Sequence, residues 1–211
     1  MKRLAFFDLE GTLVEDTAWN HIKTKFGTKE LSGEYDKLYA EGKVGFEEWR
    51  RELVKIWKKN KVTKQQFIDE LKDYKLKSGA RELIQGLKEK GFKIILITGA
   101  ISVLAELVKE DIGIDKIYCG HEFVFDKNGI FQDIMTHESY GRGEGKIHFI
   151  REIISKENAD KEECIAVGGD DINDYWMMKE LNSFAIKPHL ERIKEVVDHE
   201  VDELIDILDA V

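Results

Sequence analysis

Residues 5–16 read AFFDLEGTLVED, an apolar run that meets two carboxylates, Asp8 and Glu10, and then turns through Gly11 and Thr12. The apolar half has the composition of a short buried strand. Acids are poor strand formers and costly to bury, so their position where the strand ends needs a reason. An open parallel sheet supplies one, because ligands gather there in the crevice beyond the carboxyl ends of the strands.

The remaining chain fits such a sheet. Strands are expected at Leu4 to Leu9, Lys93 to Thr98, Lys116 to Cys119, Cys164 to Gly169 and Phe184 to Lys187. Between them, GARELIQGLKEKG (79–91) sets Leu83, Ile84 and Leu87 on one helical face and stops at Gly91, as a helix covering a sheet should. SVLAELVKE, KIHFIREIIS and NDYWMMKEL have the same character. Strands alternating with amphipathic helices predict an α/β fold.

One stretch breaks the alternation. From Thr17 to Lys75 the chain is polar and studded with aromatics, with capping-box spacing at Thr63 and Gln66, and it predicts a small helical insertion. The expected division is an α/β core of residues 1–15 and 76–211 with a helical cap of residues 16–75. EFVFDKNGIFQD (122–133) alternates apolar residues around Asn128-Gly129 and predicts a β-hairpin.

Composition narrows the function. The 211 residues are 42% apolar and 36% charged, with a net charge of −9; such acidity argues against a nucleic-acid or anionic-membrane surface. The N-terminus does not read as a signal peptide and no run is long enough for a membrane helix. Cys119 and Cys164 are the only cysteines, which fits a reducing compartment, and the expected location is the cytoplasm. The six histidines show no zinc-binding spacing.

Polar residues fall at the expected strand ends. Asp8 closes the first strand, Thr98-Gly99 closes KIILITG and opens the next helix, GGDDIND (168–174) closes CIAV, and Lys146 starts a helix. Several carboxylates on one edge raise one another's pKa unless a cation sits among them. A hard divalent ion such as magnesium answers that need with oxygen ligands and a substrate phosphate. Thr98, the Gly99 amide and Lys146 are groups that grip phosphate oxygens. With the phosphoryl charge neutralised, Asp8 becomes a candidate nucleophile, and Glu10 can protonate the leaving oxygen and then deprotonate water.

DLEGTLV, ITG, Lys146 and GGDDIND, in this order, resemble the four motifs of the haloacid dehalogenase superfamily of phosphatases and phosphotransferases. The helical insertion and EGKVGFEEWRRELV are similar to the small cap of its phosphoserine phosphatase-like branch. The resemblance implies a Rossmann-like core with strand order 3-2-1-4-5. It implies Asp8 as nucleophile and magnesium ligand, Glu10 as acid/base with its backbone carbonyl on the metal, and Thr98 and Gly99 around the phosphoryl group. It makes Lys146 the charge balance, Asp170 a further metal ligand, and Asp174, with Asn173 nearby, a support for Lys146 or for a water on the metal. Asp171 stands where relatives have a small residue and is expected to face solvent.

Three departures from that pattern stand out, at Glu10, at Thr17 and at the cap pair Leu53 and Trp49. Glu10 replaces the usual Asp. Thr17 stands where the branch has an acid for the substrate amine. Leu53 and Trp49 stand where it has an arginine for the substrate carboxylate and a serine, although Phe46 and Arg51 match. The cap aromatics are expected to form the cap's own core, with Trp19 and Trp49 the pair facing substrate. The function expected is a magnesium-dependent phosphomonoesterase for a small phosphorylated metabolite. A phosphotransferase to an alcohol and a non-catalytic phospholigand-binding protein stay open as alternatives.

Overall fold

The computed structural model describes residues 2–15, 18–40, 43, 46–137 and 145–211. Thr17 lies outside them, and the side chains of Tyr39 and Phe46 are not described.

Strand β1 (Arg3–Phe7) runs at the centre of a seven-stranded sheet, parallel to β2 (Phe92–Ile101) on one side and β5 (Cys164–Gly168) on the other. Strands β3 (Lys116–Phe125) and β4 (Phe131–Thr136) continue past β2, and β6 (Asn182–Ile186) and β7 (His199–Val201) past β5, giving the order β4-β3-β2-β1-β5-β6-β7. The five strands read from the sequence therefore stand in the expected order, with one strand added at each edge.

The period of two along β1 sorts its side chains between two apolar layers. Ala5 and Phe7 join Leu83, Ile84 and Leu87 of α5 (Ala80–Glu89) and Val108 of α6 (Ser102–Ile112). Leu4 and Phe6 join Ile150 and Ile153 of α7 (Ile147–Glu157) and Met177 and Met178 of α8 (Tyr175–Glu180). Helices on both faces bury Leu4 to Phe7 completely, which is why this part of β1 is a continuous apolar run. Two short helices near the C-terminus, α9 (Glu191–Lys194) and α10 (Ile207–Ala210), complete the fold.

Among the described residues, four helices lie between β1 and α5: α1 (Ala18–Lys25), α2 (Lys29–Ala40), α3 (Phe46–Lys59) and α4 (Lys64–Leu71). The capping box of α4 forms, with Gln66 N–H donating to Thr63 Oγ1 at 3.2 Å and Thr63 N–H to Gln66 Oε1 at 2.8 Å.

Three features differ from expectation. First, β2 does not end at Thr98. A register shift between Thr98 and Ile101 lets Ile101 pair again with His121, so α6 starts at Ser102 and the Gly99 amide is not at a helix N-terminus. Second, the hairpin is the edge of the sheet, because its first arm continues β3. Its turn is closed by Asp126, whose Oδ1 accepts from the Asn128 and Ile130 N–H groups at 2.8 and 2.9 Å. Third, the aromatics of α3 and α4 pack on one another, Trp57 and Phe67 lying 5.6 Å apart, but share that core with the sheet edge. Trp57 and Phe67, both fully buried, pack on Phe123 and Phe131 of the hairpin with ring centroids 5.2–5.9 Å apart. Short helices bury too little area to be stable alone, so they borrow the face of the sheet edge.

Candidate active site

The strand register brings the acids together. Phe7 pairs with Leu96 on one side and Val167 on the other, so Asp8, the Thr98 segment and the Gly169-Asp170 turn emerge side by side at the carboxyl edge of the sheet. Asp8 N–H extends the ladder to Val167 O at 2.9 Å. A cavity of about 230 Å³ opens there, lined by Asp8, Glu10, Trp19, Thr98, Gly99, Ala100, Lys146, Asp170, Asp171 and Asn173.

Its floor is a buried ion cluster. Lys146, just before α7, donates through Nζ to Asp8 Oδ1 and lies 2.6 Å from Asp174 Oδ1. Asp8, Lys146 and Asp174 are 5, 3 and 0% exposed. Asp174 Oδ2 accepts from Gly169 N–H at 2.8 Å, which locks the turn after β5. Carboxylate oxygens of Asp8, Asp170 and Asp174 all lie within 4.8 Å of one another. Gly11, at φ +75°, is required on this edge, because a Cβ there would run into the Asp170 carboxylate.

Charge is out of balance in this cluster. Burial pushes Asp8 up to about 6, the Lys146 ammonium opposing and Asp170 adding to the rise. Burial likewise lifts Asp170 to about 6, with Asp174 adding to it, and Asp174 to about 6 against the pull of Lys146. Asp170 Oδ1 is buried without a hydrogen-bond partner among the described residues. Clustered oxygens, an orphan acceptor and too few cations are the donor set that suits a hard divalent cation.

Glu10 is held differently. Its Oε1 accepts the Ala18 N–H at 2.5 Å, satisfying an otherwise open donor at the start of α1. Burial raises it to about 7, the Ala18 bond opposing and the Asp8 charge adding. Opposite, Thr98 Oγ1 accepts from Ala100 N–H at 2.9 Å, leaving its own proton for a ligand.

Nine of the ten lining residues were singled out from the sequence; Ala100, in the bulged end of β2, was not, and no local pattern marks it. Lys77, whose Nζ donates to Gly11 O, was missed for the same reason. Asp171 is exposed, as expected, and its carboxylate also accepts from Asn173 N–H at 2.8 Å. Trp19 lines the cavity, whereas Trp49 lies behind it with ring centroids 5.4 Å apart. Trp49, Leu53 and Trp57 recur every four residues along α3 and are 8, 1 and 0% exposed, so one helical face turns all three into the core.

Residues 2–182 match the haloacid dehalogenase-like hydrolase family, and the chain belongs to it. Its relatives there include a phosphoserine phosphatase of Archaeoglobus fulgidus, 29% identical over 96% of this chain. The chain spans 57% of the length of that relative. A phosphoserine phosphatase of Methanocaldococcus jannaschii is 27% identical, with 92% of this chain and 91% of the relative covered. The fold is similar to that of a phosphoserine phosphatase solved as a phospho-aspartyl intermediate analogue, with a TM-score of 0.76, 24% identity and coverage of 100% and 99%. Among the described residues, no helix is long and apolar enough to cross a membrane.

Proposed function

We propose that the protein is a magnesium-dependent phosphomonoesterase that works through an aspartyl-phosphate on Asp8. The observation that carries this reading is the buried Asp8–Lys146–Asp174 cluster opening on a cavity that also contains Thr98 and Asp170. The A. fulgidus and M. jannaschii relatives, both phosphoserine phosphatases, support it.

Asp8, Asp170 and the Glu10 carbonyl would hold the metal. When bound, magnesium screens the phosphoryl charge from the carboxylates and draws electrons from phosphorus. Lys146 keeps Asp8 ionised and adds positive charge beside the phosphoryl oxygens, with Asp174 fixing the ammonium. The Thr98 hydroxyl, the Gly99 amide and Asn173 orient those oxygens. An Asp8 carboxylate oxygen attacks phosphorus, the ester P–O bond breaks, and Glu10 gives its proton to the leaving oxygen. Water then loses a proton to Glu10 and attacks the same phosphorus, which releases phosphate and restores Asp8. A carboxyl group raised to about 7 is matched to carrying a proton in both directions near neutral pH. Residues 16–75 act as the cap over this site, and Trp19 is its contribution to the cavity.

The decisive test is Asp8→Asn. With magnesium present, hydrolysis of p-nitrophenyl phosphate falls by roughly 10⁴- to 10⁶-fold, the scale of losing a nucleophile, while circular dichroism shows an intact fold. Retained turnover refutes the reading. Phosphate released in step with substrate consumed, with or without an added alcohol, separates hydrolysis from phosphoryl transfer.

A further inference from the structure

Among the described lining residues, the one beside the leaving group is aromatic and brings no counter-charge for an anion. Glu10 is the group that meets the leaving oxygen in the mechanism above, and its bond to Ala18 N–H puts the first turn of α1 next to that oxygen. Trp19 follows Ala18 and is the one aromatic side chain among the described residues that line the cavity. Three rings fix it edge-on or nearly so: Trp49 at 5.4 Å, Phe123 at 5.9 Å and His121 at 6.1 Å. Burial pushes His121 down to about 4, so the ring behind Trp19 is neutral near pH 7.

The remaining lining is acidic. Asp8, Glu10, Asp170 and Asp171 face the cavity, and Lys146 is the only cation among the described lining residues. Lys146 is already engaged by Asp8 and Asp174. Among the described lining residues, a carboxylate on the leaving group would meet no cation other than the engaged Lys146, with the Asp171 carboxylate nearby. At about 230 Å³ the cavity admits a small ester, so size alone does not separate one small alcohol from another; charge and surface do.

We propose that the site selects phosphate monoesters of small, uncharged alcohols that lay a flat apolar body against Trp19, and that it discriminates against esters carrying a carboxylate. This rests on the phosphomonoesterase reading and names its substrate class. Trp19 is the specificity-determining residue, positioned by Trp49 and Phe123.

The test compares four alkyl phosphates with leaving groups of similar kind: benzyl phosphate, n-propyl phosphate, ethanolamine phosphate and O-phosphoserine, each with the wild-type protein and magnesium. Ethanolamine phosphate differs from O-phosphoserine by the carboxylate alone. The expected order in kcat/KM places benzyl phosphate first and O-phosphoserine last. Ethanolamine phosphate exceeds O-phosphoserine by about tenfold to a hundredfold, the scale of leaving one polar group unpaired. Benzyl exceeds n-propyl phosphate by about two- to tenfold, the scale of one aromatic pair. Trp19→Ala brings the benzyl to n-propyl ratio close to one and Trp19→Phe preserves it; thermal unfolding of both variants reports their folding, and the wild-type series decides without them. O-phosphoserine hydrolysed as well as benzyl phosphate overturns the inference while leaving the phosphatase reading intact. Ethanolamine phosphate in first place also overturns it, in favour of an acidic rim that reads a cation. Release of phosphate from none of the four overturns the phosphatase reading and the inference together.

Discussion

Two regions of this molecule are deeply buried and held by opposite physics. The seam between α3, α4 and the hairpin is a stack of rings in which Trp57, Phe67 and Phe131 are all 0% exposed. The cluster at the sheet edge buries Asp8, Lys146 and Asp174 almost as deeply. Apolar burial in the seam is favourable contact by contact. In the cluster each carboxylate is lifted well above its usual range, so these residues are there at a cost to stability that only their chemistry repays.

Glu10→Gln gives the largest change by which this contrast can be pressed. The amide still accepts from Ala18 N–H but cannot give or take a proton near neutral pH, so turnover falls by about 10²- to 10⁴-fold with little change in Tm; normal turnover rules out the proton-carrying role. Next come Lys146→Ala and Phe67→Ala, one from each region. Phe67→Ala removes a buried ring and costs about 3–5 kcal/mol, seen as a lower Tm. Lys146→Ala strands Asp8 and Asp174 without their cation and costs a similar amount, about 3–5 kcal/mol. The two are told apart by pH: acidification neutralises the stranded acids and restores part of the Lys146→Ala loss, whereas the Phe67→Ala loss stays. Equal pH profiles would break the contrast.

Magnesium should act on one region only. A cation bound among the acids stabilises the folded chain by mass action, so millimolar magnesium raises the Tm of the wild type and of Phe67→Ala, and fails to raise that of Asp170→Asn. A rise in Asp170→Asn equal to the wild type would place the metal elsewhere.

The smallest effect concerns a half-buried counterpart of the buried cluster, with exposed lysines around it. Glu157 accepts from Lys93 at 2.6 Å and from Lys2 and Lys116 at 3.1 Å. These hydrogen bonds hold its carboxyl well down, at about 2 against an ordinary 4.5. Because the folded value lies below the unfolded one, its stabilisation is complete above about pH 4.5 and is lost as pH falls toward 2. Glu157→Gln therefore flattens that part of the acid-unfolding curve and leaves stability at pH 7 modestly lower, since water screens exposed pairs.

Much of this was legible along the chain. The alternation of Leu4, Ala5, Phe6 and Phe7 between two helical layers follows from a strand buried on both faces, and Leu83, Ile84 and Leu87 from a helix covering it. Asp8, Glu10 and Asp170 could be named because each follows a strand, and Thr98 because the apolar run KIILI stops there, although β2 runs on to Ile101. β7 escaped because His199-Glu200-Val201 is a short polar edge with no run to detect. Ala100 and Lys77 escaped because their positions depend on a bulge and on a distant backbone carbonyl.

The sequence by itself determined the α/β alternation and the acids at the strand ends, because strand and helix periods and turn chemistry act over a few residues; the order of the five principal strands rested on the family resemblance. Only the tertiary structure decided that Lys146, 138 residues away, is buried between Asp8 and Asp174, that the aromatics of α3 and α4 pack on the sheet edge, and that Trp19 rather than Trp49 meets the cavity. Those are contacts between faces of different elements, and which faces meet depends on how the whole chain closes its apolar surface.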